Sequence, residues 1–269
     1  MIARVLGSAA GGGSPQWNCH CAVCTAVRAG AGPPRTQSSL AVTLDRERWF
    51  LFNASPDVHR QIDGLPVDAV LLTDAELDHT LGLLILREAR NLVLHATPAI
   101  VTTLRDGSGL LPLLERYCTV EWRPVEPGVP FTLTDGLSCE AFDVPTTKKD
   151  RFGVGVDVGR VVGYRITDRR TGGTLVYLPG AQALPDIGPC DCLLLDGSFF
   201  RDDELSATRT ARDMGHLPIV DSLPLITAPR TIFVHVNNTN PILLDDSPER
   251  RVVEANGMEV AMDGLEVEL

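Results

Sequence analysis

Between Val70 and Leu86 the chain carries its densest set of chemistry-bearing residues. An apolar run, Val70 to Leu72, stops at Thr73-Asp74-Ala75-Glu76-Leu77-Asp78-His79-Thr80, and a second apolar run begins at Leu81. Three carboxylates and one imidazole, gathered where a strand turns into a helix, surround one point with oxygen and nitrogen donors. Such donors suit iron, manganese or zinc. The segment reads as a metal site at the carboxyl edge of a sheet.

A second set is built from sulfur. Trp17-Asn18-Cys19-His20-Cys21-Ala22-Val23-Cys24 holds C-x-C-x-x-C, and three thiolates within six residues can wrap one tetrahedral zinc. His20, Asn238 and a distant cysteine are the candidates for the fourth ligand. A zinc enclosed by protein ligands on every side is structural rather than catalytic. Cys190 and Cys192, on either side of Asp191, read as core thiols.

The elements that must position these groups follow from hydropathy and turn residues. Strands are predicted at Ile2 to Leu6, Leu40 to Leu44, Trp49 to Phe52, Val67 to Leu72, Leu92 to Ala96 and Cys192 to Leu195. Others are predicted at Thr231 to Val236 and near 119–123, 131–133, 138–144, 161–166 and 174–178, with Glu259 to Leu269 as a last strand. Helices are predicted at Val58 to Ile62, Thr80 to Arg87, Pro98 to Leu104 and Ser247 to Ala255, the last capped by Ser247 with Pro248 in its first turn. Residues 14–39 read as irregular, and Gly7 to Gly13 as a loop whose glycines allow close backbone approach. Three predicted strands end in ligand-type residues: Asp78 with His79, Asp196, and His235. Strand ends converging on one edge are where α/β folds place their chemistry. The mix fits an α/β sandwich over the whole of 1–269, read as one domain with the cysteine loop at 17–24.

Bulk properties exclude several classes. The chain has 269 residues, a net charge of −11, 44% hydrophobic residues and 5% aromatics. A strongly acidic chain is a poor partner for nucleic acid or an anionic membrane. No apolar run approaches the roughly 20 residues that span a bilayer. A cytoplasmic protein is expected, in which cysteines serve as ligands or buried thiols.

Gly7-Ser8-Ala9-Ala10-Gly11-Gly12-Gly13, Pro15-Gln16-Trp17-Asn18-Cys19, Arg35-Thr36-Gln37-Ser38-Ser39, Asn53-Ala54-Ser55-Pro56-Asp57, Thr73 to Thr80, Met214-Gly215-His216-Leu217-Pro218 and His235-Val236-Asn237-Asn238-Thr239-Asn240-Pro241 run from end to end of the chain. In these motifs it resembles the pyrroloquinoline quinone (PQQ) biosynthesis protein B family of the metallo-β-lactamase-like superfamily. The resemblance implies an αββα four-layer sandwich with a metal site at one edge of two packed sheets. The superfamily's metal motif is H-x-H-x-D-H; here Asp74-x-Glu76-x-Asp78-His79 stands in its place. The first two histidines, which build the first metal position, are acids. Asp78, His79 and His235 remain for the second position, with Asp196, where the superfamily has its bridging aspartate, as a candidate fourth ligand.

Two histidines and one carboxylate form the ligand set of non-haem Fe(II) oxygenases, whereas zinc has no redox chemistry. The resemblance accordingly implies an iron-dependent, O2-using hydroxylase acting on a tyrosine-derived or short-peptide intermediate of quinone-cofactor biosynthesis. Asp74 and Glu76 are expected to face the vacated metal position and to hydrogen-bond a substrate hydroxyl or take its proton. His216 is expected as a proton donor or an outer group. Arg35, Ser55 and Lys148 are read as substrate-binding, within a basic run of Lys148, Lys149 and Arg151 that draws carboxylates or faces water. Arg87 is a weaker anion-binding candidate, and His59 and His95 read as structural. Two other classes stay open: a metal-dependent hydrolase or phosphodiesterase of the same superfamily, and a non-catalytic PQQ carrier involved in its transport. A homodimer is expected on the same footing.

Overall fold

The computed structural model describes residues 1–152, 158–206 and 208–269. Six strands open the chain: β1 (Ile2–Gly7), β2 (Ser39–Thr43), β3 (Trp49–Phe52), β4 (Val67–Leu71), β5 (Asn91–Ala96) and β6 (Thr119–Pro124). Seven follow: β7 (Phe131–Thr134), β8 (Leu137–Asp143), β9 (Val162–Asp168), β10 (Thr174–Leu178), β11 (Cys192–Asp196), β12 (Thr231–Val234) and β13 (Glu259–Val260). A last strand, β14 (Glu266–Glu268), returns to the first group. They form two mixed sheets, ordered β14-β1-β2-β3-β4-β5-β6 and β13-β12-β11-β10-β9-β8-β7. The strands that carry the candidate ligands lie in the parallel parts, β3 to β6 and β10 to β13.

Parallel strands buried on both faces read as continuous apolar runs, and β11 shows how one run serves two layers. Cys192 and Leu194 belong to the core between the sheets, while Leu193 and Leu195 belong to a second core on the outer face. Helix α1 (Ala22–Arg28) contributes Val23 and Val27 to that outer core, and it is joined by Ile219 and Val253 from two later helices. Between the sheets, Phe52 meets Tyr164 and Tyr177 edge-on, with centroids 5.3 and 6.1 Å apart. The αββα sandwich expected from the sequence is the architecture observed.

Several local expectations change. The segment read as irregular contains α1, capped by Cys21, whose Sγ accepts the Cys24 amide. The helix expected from Thr80 begins earlier, as a single α-turn over Leu77–Thr80, and continues as a 3-10 helix over Leu81–Glu88. Gly82 explains the tightening. Its amide bonds to Ala54 O, and a Cβ there would lie 2.1 Å from Ser55 O, so the helix is pressed against the 53–55 turn. The expected final strand splits in two, because the chain leaves the second sheet after Val260 and turns at Gly264 (φ +87°) into β14. Asp263 pins that crossing by accepting the amides and hydroxyls of both Ser8 and Thr36.

Candidate metal centre

Three carboxyl ends of parallel strands meet at one edge. After β4, Thr73 and Asp74 lead into the α-turn that presents Asp78 and His79. Strand β11 ends on Asp196, and β12 hands the chain to His235, which sits at φ +56°, a left-handed conformation that costs a non-glycine residue energy and marks functional positions. Ligand atoms of Asp78, His79 and His235 lie within 4.8 Å of one another, as do those of Asp196, His216 and His235.

The imidazoles are oriented from behind. Asp74 Oδ2 lies 2.7 Å from His79 Nδ1 and accepts the Thr73 hydroxyl at 2.9 Å. Thr73 is in turn held by Asn53, whose Nδ2 donates to its Oγ1 and whose Oδ1 accepts its amide, both at 2.9 Å. With Nδ1 committed to Asp74, His79 Nε2 is left buried without a hydrogen-bond partner, 3.8 Å from Asp78 Oδ2. His235 is arranged alike. Its Nδ1 is 2.8 Å from Ser198 Oγ, which donates to Asp196 Oδ1 at 2.7 Å, and its Nε2 lies 3.3 Å from Asp78 Oδ2. Two imidazole nitrogens thus flank one carboxylate oxygen. An orphaned buried nitrogen costs free energy unless something fills its place, and a histidine–carboxylate pair behind the ligand is the usual support of a metal. The donor set fits a metal ion held by Asp78, His79 and His235.

Charge agrees with that fit. Burial disfavours the His79 cation, yet Asp74 and Asp78 outweigh it and raise the ring to about 9. Burial likewise opposes ionisation of Asp78, but His79 and His235 hold it far below the ordinary carboxylate range. An entering cation therefore meets an ionised carboxylate and displaces a proton from His79.

The structure redistributes the other expected site residues. Asp74 does not face a vacated metal position; its Oδ1 accepts the Glu76 amide and its Oδ2 holds His79, so its role is positioning. Glu76 turns away from the ligands to Lys148 Nζ at 2.7 Å and Arg151 Nε at 3.2 Å. Asp196 accepts His216 Nδ1 at 2.6 Å, the Ala181 amide and Ser198, which places it behind both His235 and His216 rather than as a fourth ligand beside Asp78, and His216 itself lines the cavity. Arg35 is buried away from the pocket, its guanidinium donating to the carbonyls of Ala261, Pro33 and Leu243. Ser55 is also buried and donates to Gln61 Oε1. Neither lines the pocket, so their substrate-binding reading is corrected; Lys148 does line it. His59 and Arg87 lie outside it too, and His95 stacks on Phe131.

The site opens into a cavity of about 250 Å³ with Ala10 and Gly11 on one side and Val144, Phe152 and Phe199 on others. A Cβ on Gly11 would lie 3.2 Å from Asp78 Oδ2, which is the close backbone approach that the glycine loop provides. Asn53 and Ser198, both supporting ligands, escaped the sequence reading. Ser198 stands two residues beyond Asp196, and that adjacency was the available signal. Asn53 sits at φ +63° in its turn and carried no such mark.

Cys19, Cys21 and Cys24 also bring their thiols within 4.8 Å. The Asn238 carbonyl faces Cys21 and Cys24 Sγ at 3.7 and 3.6 Å, and its Nδ2 donates to Cys24 Sγ at 3.2 Å. His20 is exposed and outside the group. Burial raises the Cys21 thiol to about 11, so a metal must again displace protons. Among the described residues no helix is long and apolar enough to cross a membrane.

Residues 48–236 match the family described as the Beta-lactamase superfamily domain. Coenzyme PQQ synthesis protein B of Cupriavidus necator is 40% identical over 303 aligned positions, covering 99% of each chain, and that of Azoarcus sp. is 39% identical over the full length of both. The crystal structure of Zn2+-bound PqqB from Methylobacterium extorquens superposes with a TM-score of 0.89 at 38% identity over the whole of both chains. A diphosphatase of the PhnP family shares the fold at TM-score 0.75 and 23% identity. By the strand-end site, the superfamily match and identity spanning its full length, this chain belongs to the coenzyme PQQ synthesis protein B family of the β-lactamase superfamily.

Proposed function

We propose that this chain is an iron-dependent, O2-using hydroxylase that acts on a tyrosine-derived or short-peptide intermediate of PQQ biosynthesis. The observation that carries the reading is the two-histidine, one-carboxylate set, with His79 Nε2 orphaned beside Asp78 and His235. Asp78, His79 and His235 would hold Fe(II), which supplies the redox step with O2 that zinc lacks. The reaction replaces a ring C–H by C–OH; the second oxygen atom leaves as water with two electrons from an added reductant.

The protein's own groups do the rest. Asp74 and Ser198 fix the two imidazoles, so the site is built before substrate arrives. Phe152, Val144 and Val161 give a ring an apolar wall. His216 has Nδ1 taken by Asp196, which leaves Nε2 as its nitrogen for proton exchange with the substrate hydroxyl.

A hydrolase is the second reading, and one observation favours it: Asp196, His216 and His235 form a second donor trio that shares His235 with the first. Metal content separates the two. The hydroxylase reading expects one iron at this edge and a product heavier by one oxygen from a tyrosine-containing dipeptide under O2 and ascorbate. Two zinc ions, with turnover of a phosphodiester, would establish the hydrolase instead.

A further inference from the structure

The wall of the cavity opposite the glycine loop runs against the charge of the molecule. In a chain of net charge −11, Lys148, Lys149, Arg151 and Arg160 all line one pocket. Residues 147–152, which carry the first three, are laced down. Gln182 Oε1 accepts the Thr147 amide at 2.6 Å, and its Nε2 donates to Thr147 Oγ1 and to the Arg212 carbonyl. Arg160 donates to the Lys148 carbonyl. Gly215, at φ +89°, seats the aliphatic stem of Lys148, since a Cβ there would lie 3.0 Å from Lys148 Cδ. At the other end Phe152 packs on Gly107, where a Cβ would meet its Cβ at 2.6 Å. Asp150, which also lines the pocket, accepts the Phe152 amide at 2.9 Å.

Glu76 completes this cationic wall from the opposite side. Its two oxygens take Lys148 Nζ and Arg151 Nε separately, Oε1 at 2.7 Å and Oε2 at 3.2 Å. The side chain is only partly buried, at 34% exposure, and Lys148 at 24% is similar. One half-buried carboxylate is therefore held between two cations, Lys148 and the more exposed Arg151, beside the cavity that contains the metal ligands. An arriving carboxylate can take the same two donors while Glu76, still ionised, turns out to solvent.

We propose that Glu76 is a built-in stand-in for a substrate carboxylate: Lys148 and Arg151 select substrates with an anionic group at the end remote from the reacting ring, and Glu76 is displaced when such a group binds. This rests on the hydroxylase reading only for the nature of the ring. Glu76 is thus a specificity residue that competes with substrate, and this separates it from a proton acceptor.

The test is anaerobic titration calorimetry of the zinc-loaded full chain with 3-(4-hydroxyphenyl)propanoate and its neutral amide. The wild type should favour the acid. Glu76→Gln removes the competitor and should tighten the acid about tenfold, while Lys148→Met should weaken it by a similar factor; the amide should stay unchanged in both. The opposite signs on the acid alone are the signature. Equal binding of acid and amide, an E76Q variant that binds the acid no better, or parallel shifts of both probes overturns the proposal. Without oxygen or iron the measurement is independent of turnover. The charge preference can hold while hydroxylation fails, and hydroxylation can succeed where the preference is absent.

Discussion

The two metal-capable regions of this chain differ in how their donors are gathered. Cys19, Cys21 and Cys24 fall within six residues, and Asn238 closes the group from a distant loop. Asp78 and His235 stand 157 residues apart and meet only because β4 and β12 end at the same edge. Cys21 caps α1 and Cys24 lies in its first turn, so one short helix and the loop before it carry all three thiols. The strand-end site is organised already, by Asn53, Thr73 and Asp74 behind one imidazole and by Ser198 and Asp196 behind the other. It also opens onto a cavity, whereas among the thiols Cys24 is buried and Cys19 and Cys21 are half-buried near the surface. Donors close in sequence offer a metal a place to pin one loop, and donors gathered across two sheets offer it a place the fold has already built.

That contrast breaks most sharply at His79. His79→Ala removes a ligand from the pre-built site and should lower its metal affinity by a thousandfold or more, with a near-native melting curve and full zinc at the thiols. Metal analysis of the purified variant reads both sites at once. Cys24→Ser should empty the thiol site and lower stability. Structural zinc held at a thousandfold its dissociation constant contributes about 4 kcal/mol of stability, and urea unfolding should show a loss near that size. Asn238 lies three residues beyond His235, so this variant should also loosen active-site metal, whereas His79→Ala leaves the thiol loop untouched.

A third prediction sets two buried histidines against each other. His79 is raised by its carboxylates, while His95, stacked on Phe131 at 5.2 Å, is lowered to about 4 by burial and by Arg123. His95 is therefore neutral when folded, and the unfolded chain takes up its proton first. Stability falls as pH drops from about 6.5 to about 4, and His95 contributes no further change below that. The loss from this group is at most about 3 kcal/mol, and His95→Gln should flatten the unfolding free energy across that window. Last and smallest, Asp74→Asn keeps the shape behind His79 but not the charge. It should weaken active-site metal by roughly 10- to 100-fold, measured by competition with a chelator.

Much of the site was readable because its donors lie at or just beyond strand ends. Asp196 closes β11, His235 follows β12, Asp78 and His79 stand in the turn after β4, and the resemblance supplied the sandwich that joins them. What could not be read is where a side chain turns. The string Asp74-x-Glu76-x-Asp78-His79 looks like four donors for one metal, yet an α-turn begins at Leu77 and folds His79 back onto Asp74. Glu76 then falls on the outer side, facing Lys148. Arg35 misled for a related reason. Its motif marks the family, but three backbone carbonyls claim the guanidinium inside the fold. Helix α1 hid behind prolines and glycines because its cap is a cysteine, which signals a ligand before it signals a helix start.

The proposed hydroxylase needs a single redox-active metal at the strand-end site. The most direct measurement is anaerobic loading with Fe(II), then a pulse of O2 and ascorbate with a tyrosine-containing dipeptide, read by metal analysis and mass spectrometry. One iron per chain besides the thiol-bound zinc, and a dipeptide heavier by one oxygen that is absent from the zinc-loaded control, is the result predicted. Two zinc ions at the edge, and no oxygen incorporated under iron, would contradict it.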